Sequence, residues 1–117
     1  MRKLLGLTLV LAGIASAQQA GNADNGKKLF ASKGCWECHG YAGQGSRDGA
    51  KLAATVLNEQ AFLRYVRKPT GAMPAFVDKI LPDSELRDIY AYVKTLPAPK
   101  AVKDVPLLNQ MKNANAK

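Results

Sequence analysis

Three stretches of the chain repeat apolar positions with the period of an α-helix. The clearest is PDSELRDIYAYVKTL, residues 82–96, where Leu86, Ile89, Tyr90 and Val93 form one stripe. Pro82 and Asp83 begin it, Lys94 lies in its last turn, and Pro97 stops it. A second helix is predicted over Asn58 to Arg67, with Phe62, Leu63 and Val66 on one face. Pro69 follows, and a residue before proline disfavours helix. A third is predicted over Asp24 to Lys33, where Gly26 and Phe30 lie four apart and share a face. Asn22 or Asp24 can cap its first amides, and Gly34 ends it. LAATVL, Leu52 to Leu57, has strand character but stands alone, and no internal repeat is present. The pattern predicts an all-α fold.

Between the helices lie GCWECHG (34–40), a loop from Gly40 to Gly49 with four glycines, and PTGAMPAF (69–76). Glycines let a backbone turn tightly or approach a ligand closely. From Pro97 the chain carries three prolines, and its end, NANAK, is expected to be disordered.

The first 17 residues differ from the rest. Arg2 and Lys3 are basic, Leu4 to Ile14 are mostly apolar, and Ala15-Ser16-Ala17 is a small-residue cleavage site. That is the layout of a secretory signal peptide. The apolar run falls short of the roughly 20 residues that a bilayer span needs. The mature chain is expected to begin at Gln18 and to be periplasmic or otherwise exported, with no integral membrane segment. Losing Arg2 and Lys3 lowers the formal net charge of the 117-residue chain from +8 to +6. The cations are spread along the sequence and no nucleic-acid motif accompanies them, so the charge points to an acidic protein or a membrane surface. An exported chain of this size has a modest core and often needs a staple. A disulfide between Cys35 and Cys38 would close too short a loop to supply much.

Cys35, Cys38 and the single histidine, His39, carry the chemistry. A thioredoxin-like pair starts a helix after a strand, whereas this pair follows a helix and leads into glycines. A structural zinc site needs about four ligands, and the chain offers two cysteines and one histidine. Cys-x-x-Cys-His reads as attachment of a c-type haem. Two thioethers would tether one edge of the porphyrin, and His39 would then present its Nε2 to the iron. The tether also raises the effective concentration of the ligand.

With a Gly26–Phe30 helix before it and LRDIYAYVKTL after it, the motif resembles a small bacterial class I, monohaem cytochrome c over about Asp24 to Leu96. The resemblance implies the class I cytochrome c fold, with N- and C-terminal helices crossing around one covalently bound haem c and its iron. With the residue patterns at both ends, the chain is expected to divide into a signal peptide at 1–17, a cytochrome c domain at 18–97 and a polar, Pro-containing tail at 98–117. Gly26 would let the two helices touch, and Phe30 would pack on Tyr90 or Tyr92. Such proteins place an axial methionine in a short loop, often before proline; Met73 matches, whereas Met111 lies in a polar tail. Ala50 stands where the family often has a proline whose carbonyl accepts from the axial histidine, and Leu52 would pack on the haem. The cofactor-binding residues are thus expected to be Cys35, Cys38, His39 and Met73, with His39 and Met73 as metal ligands and no catalytic residue.

His/Met ligation leaves no open axial position and raises the potential relative to bis-His ligation. The function implied is one-electron transport, as a shuttle or as the electron-accepting subunit of a dehydrogenase. If Met73 is not a ligand, a haem sensor or peroxidase with an open sixth site is the alternative. The expected partners are redox proteins with an acidic docking face: a dehydrogenase, an oxidase or another carrier. Trp36 and Lys33 lie beside the edge expected to dock. Arg47 and Lys51 are candidate partners of the propionates, and Tyr65 is a candidate hydrogen-bonding neighbour of Met73.

Overall fold

The structure, a computed structural model, describes residues 19–114. The segment read as a signal peptide, 1–17, lies outside the described residues. The described part is helical and contains no strand: α1 (Ala23–Ser32), α2 (Cys35–His39), α3 (Glu59–Arg67), α4 (Asp83–Thr95) and α5 (Pro106–Ala114), with a 3₁₀ turn at Val102–Asp104. The all-α expectation holds, and the segment 52–57 is irregular backbone.

Local chemistry sets the helix starts. The Asn22 side chain accepts from the Asn25 amide at 3.0 Å, and that of Asn58 accepts from the Ala61 amide at 2.9 Å. Each satisfies one amide that a helix leaves without a partner. At α1 a tertiary contact adds to the local cap. Both oxygens of Asp88, on α4, accept at this end: Oδ1 from the Asn22 amide at 2.6 Å and Oδ2 from Asn25 Nδ2 at 2.7 Å.

The main packing contact is α1 on α4. Gly26 is buried there, and a Cβ on it would overlap the Asp88 carbonyl and lie 2.9 Å from the Ile89 amide nitrogen. A side chain of any size would hold the helices apart. Phe30 meets Tyr92 edge-on, centroids 5.5 Å apart, whereas Tyr90 packs on Phe62 of α3 at 5.3 Å. Of the two tyrosines named from the sequence, Tyr92 is therefore the partner of Phe30.

The core joins Phe30, Phe62, Val66, Leu81, Leu86, Ile89 and Val93, and Leu81, Leu86 and Val93 are almost completely inaccessible. Burying a side chain of this kind stabilises by about 1.5–3 kcal/mol. Arg87 of α4 reaches Glu59 of α3 at 3.2 Å, and the Tyr90 hydroxyl donates to the Leu57 carbonyl at 3.0 Å. Together these contacts fix α3 against α4.

Beyond Leu96 a helix stands where only a polar tail is expected. Residues 106–114 form α5, and among the described elements it contacts the 3₁₀ turn before it and no other helix. Leu107, Leu108 and Met111 remain exposed on it. Pro106 at its first position has a fixed φ and needs no amide partner, which favours helix initiation.

Candidate functional site

The cysteine motif is itself helical. α2 is little more than one turn, so Cys35 and Cys38, three apart, lie on the same side. Neither is in a disulfide. Cys35 is half-buried against the core cluster and Cys38 is exposed. Burial pushes the Cys35 thiol up from 9.0 to about 11, partly offset by a hydrogen bond from its own backbone.

The loop after α2 folds back over the motif. Gly45 donates its amide to the His39 carbonyl at 2.8 Å, and the Ser46 hydroxyl donates to the Cys38 carbonyl at 2.6 Å. Gly49 makes the return possible: a Cβ there would sit 2.7 Å from the Cys38 carbonyl carbon and 2.9 Å from the Cys38 Cβ. This close approach brings the Ala50 carbonyl oxygen to 2.6 Å from His39 Nδ1. A carbonyl can only accept, so Nδ1 is the donor, which in the neutral ring leaves Nε2 as the nitrogen able to bind a metal. Histidines that bind metals are commonly oriented in this way.

Met73 lies in the α3–α4 connection, half-buried against the same apolar cluster as Cys35. Its loop is tied at several points. The Tyr65 hydroxyl donates to the Thr70 carbonyl at 3.2 Å, the Phe76 amide donates to Val66 O at 3.2 Å, and Arg67 Nη1 donates to Phe76 O at 2.8 Å. Farther along, Lys33 Nζ donates to Ile80 O at 2.8 Å and stands 3.7 Å from Glu85. Tyr65 thus supports the loop through Thr70. Lys33 is an internal tie between α1 and this loop, although its sequence position suggested a free docking cation. Arg47 pairs with its neighbour Asp48 in solvent.

Trp36, between the cysteines, is half-buried and donates its indole N–H to Ala31 O at 3.2 Å. The exposed Tyr41 ring stacks on it, centroids 4.4 Å apart and 12° from parallel. Leu29, Leu52, Leu63 and Phe76 join Cys35, Trp36 and Met73 as half-exposed apolar residues bordering the core.

Among the described residues no three His, Cys, Asp or Glu side chains are grouped to hold a metal ion, so a zinc centre is not assembled around the motif. The donors available are two thiols, one oriented imidazole and one thioether beside half-exposed apolar surface. Uncharged N and S donors on an apolar wall fit a haem and its iron. An open cleft along the outside of α3, lined by Leu57, Ala61, Arg64 and Lys68 among others, includes none of the four expected site residues. The sequence missed the Arg67 contact to the Met73 loop; an arginine at a helix C-terminus gives no sign of which carbonyl it will reach.

The family described as cytochrome C oxidase, cbb3-type, subunit III matches residues 21–93. A cbb3-type cytochrome c oxidase subunit CcoP of Helicobacter pylori is 33% identical over 97 residues, covering 74% of this chain and 33% of the relative. A thiosulfate dehydrogenase of Psychrobacter arcticus is 39% identical over 95 residues, covering 71% and 29%. A cytochrome c6 of Gloeothece citriformis is 34% identical over 105 residues, covering 80% and 93%. The chain spans about a third of the length of the CcoP and thiosulfate dehydrogenase relatives. No solved structure matches it.

Proposed function

The chain belongs to the cytochrome c family matched by the cbb3-type oxidase subunit III domain and carries a covalently bound c-type haem, and from that premise we propose that Cys35, Cys38, His39 and Met73 are the residues that hold it. Cys35 and Cys38 would anchor it through thioethers, and His39 Nε2 and the Met73 sulfur would hold its iron. When bound, the haem supplies one-electron chemistry between Fe(III) and Fe(II). The function is electron carriage, with no substrate bound at the metal.

The observation that carries this reading is the 2.6 Å contact between His39 Nδ1 and Ala50 O. It leaves Nε2 as the ring nitrogen available beside a motif whose two cysteines are free. The Ala50 carbonyl fixes the tautomer and the ring plane. The glycine loop keeps side chains from crowding that contact, and the ties at Thr70 and Phe76 limit the travel of Met73. Apolar residues at the border of the core exclude water from that side, which favours the less charged, reduced state.

The working arrangement we propose is an exported carrier whose first 17 residues are removed, whose domain covers 18–97 and whose tail covers 98–117. No described helix is long and apolar enough to cross a membrane. Similarity to a cytochrome c6 over most of both chains supports a small cytochrome carrier. The exposed apolar residues of α5 support a second reading, a carrier docked on an oxidase or dehydrogenase.

Mass spectrometry after denaturation and acid extraction tests the anchors: the haem mass should stay on the peptide containing Cys35 and Cys38. Met73→Ala should lower the potential and let carbon monoxide bind the ferrous protein. A haem extractable by organic solvent, or a Met73→Ala protein still closed to carbon monoxide, would contradict the respective assignment.

A further inference from the structure

One side chain, that of Arg67, joins the Met73 loop to both α3 and α4. The backbone pairs Phe76 N–H with Val66 O at 3.2 Å. Arg67, next in sequence to Val66, donates Nη1 to the Phe76 carbonyl at 2.8 Å. Both polar groups of the Phe76 backbone are therefore held by the last turn of α3. The second nitrogen of Arg67 pairs with Asp83, at the first turn of α4, and lies 3.4 Å from Asp78. Its side chain is 21% exposed, whereas those of Asp83 and Asp78 are 53% and 78% exposed, so the part-buried bond to Phe76 O is the sheltered contact and the ion pairs face solvent. On the other side of Met73, Tyr65 holds the Thr70 carbonyl. Met73 sits midway between these two anchors, three residues from each.

We infer that Arg67 is a positioning residue for Met73, setting how firmly the thioether stays on the iron; this rests on the reading of Met73 as an axial ligand. Arg67 joins α3, the loop and α4 through one planar guanidinium, which lysine cannot reproduce because it lacks the fork. Without it, the Phe76 carbonyl loses its donor, Asp78 and Asp83 lose their counter-charge, and the loop end is free to move away from the core. Met73 then dissociates more often, although no ligand has been removed.

The test uses the holoprotein and three readouts: reduction potential, the rate of carbon monoxide binding to the ferrous form, and the rate at which peroxide oxidises Met73, followed by peptide mass. Met73→Ala is the reference for an open site. Arg67→Gln should raise both rates at least about tenfold, the size expected when a hydrogen bond to a charged group is lost, and should lower the potential. Arg67→Lys should fall between it and the parent, and Asp83→Asn should act in the same direction more weakly. Arg87→Gln removes a different α3–α4 ion pair; it should lower the melting temperature and leave the three readouts unchanged. If Arg67→Gln does not fold, Arg67→Lys and Asp83→Asn carry the test. Parent-like rates and potential in the Arg67 and Asp83 variants, with Met73→Ala open, would overturn the inference alone. A Met73→Ala protein closed to carbon monoxide would remove the axial reading and the inference with it.

Discussion

Replacing Gly26 with alanine sets two effects of known sign against each other. In an isolated helix the change is favourable, because Ala exceeds Gly by about 1 kcal/mol in the helix interior. Here the new Cβ would overlap the Asp88 carbonyl and come to 2.9 Å from the Ile89 nitrogen. Ordinary carbon contacts lie near 3.5–4.0 Å, so α1 and α4 would have to separate by about 1 Å. The neighbours that lose contact are Phe30, Ile89 and Val93, exposed by 3%, 2% and 0%. A gap of about 0.5–1 Å already forfeits a quarter to a half of each atom pair's attraction. Overpacking costs about 1–3 kcal/mol, and this site belongs at the upper end because the clash is with backbone. Subtracting the propensity gain of about 1 kcal/mol leaves a net loss of about 2 kcal/mol. For a domain of this size that lowers the melting temperature by about 8–16 °C. Thermal and denaturant unfolding of the holoprotein measure it, with Lys28→Ala, at an exposed position on the same helix, as the control expected within about 0.5 kcal/mol. A Gly26→Ala protein as stable as the parent, or more so, would refute the close approach of the helices.

Two further outcomes are expected. In the haem-free chain, the Cys35 pKa of about 11 against 9.0 leaves roughly one thiol in 1,000 ionised at pH 8, instead of roughly one in ten. Raising the pH through 11 should restore thiolate, so iodoacetamide should label Cys35 at least about tenfold more slowly at pH 8 in buffer than in guanidinium; equal rates would show that the thiol is not buried. For the holoprotein with an acidic redox partner, the second-order rate should fall with salt as the Debye length shrinks to about 10 Å at 0.1 M. Lys51→Glu, beside the Ala50–His39 contact, is the suitable charge reversal because Lys33 is committed to Ile80 and Glu85; a rate that rises with salt would exclude an acidic docking face.

The haem motif and the helices α1, α3 and α4 were legible in the sequence because each depends on residues within about four positions of one another. Cys35, Cys38 and His39 declare their chemistry by spacing, and Leu86, Ile89 and Val93 declare a buried face by period. Asn22 and Asn58 mark helix starts by the same local logic. The motif's own helical turn, α2, was hidden because five residues are too few to show a period. α5 was hidden by asparagines and lysines that dilute its three apolar positions. The Ala50 carbonyl as the acceptor from His39 Nδ1 was legible too, through the family's stretch that Gly49 to Leu52 match, and Gly49 is what lets the loop return to it. What only the tertiary structure decided are the contacts of the cations to backbone carbonyls far along the chain. Lys33 reaches Ile80, and Arg67 reaches Phe76 in the Met73 loop. Every residue presents the same backbone carbonyl whatever its side chain, so sequence does not mark which one a lysine or an arginine will meet; the folded path of the backbone makes that choice.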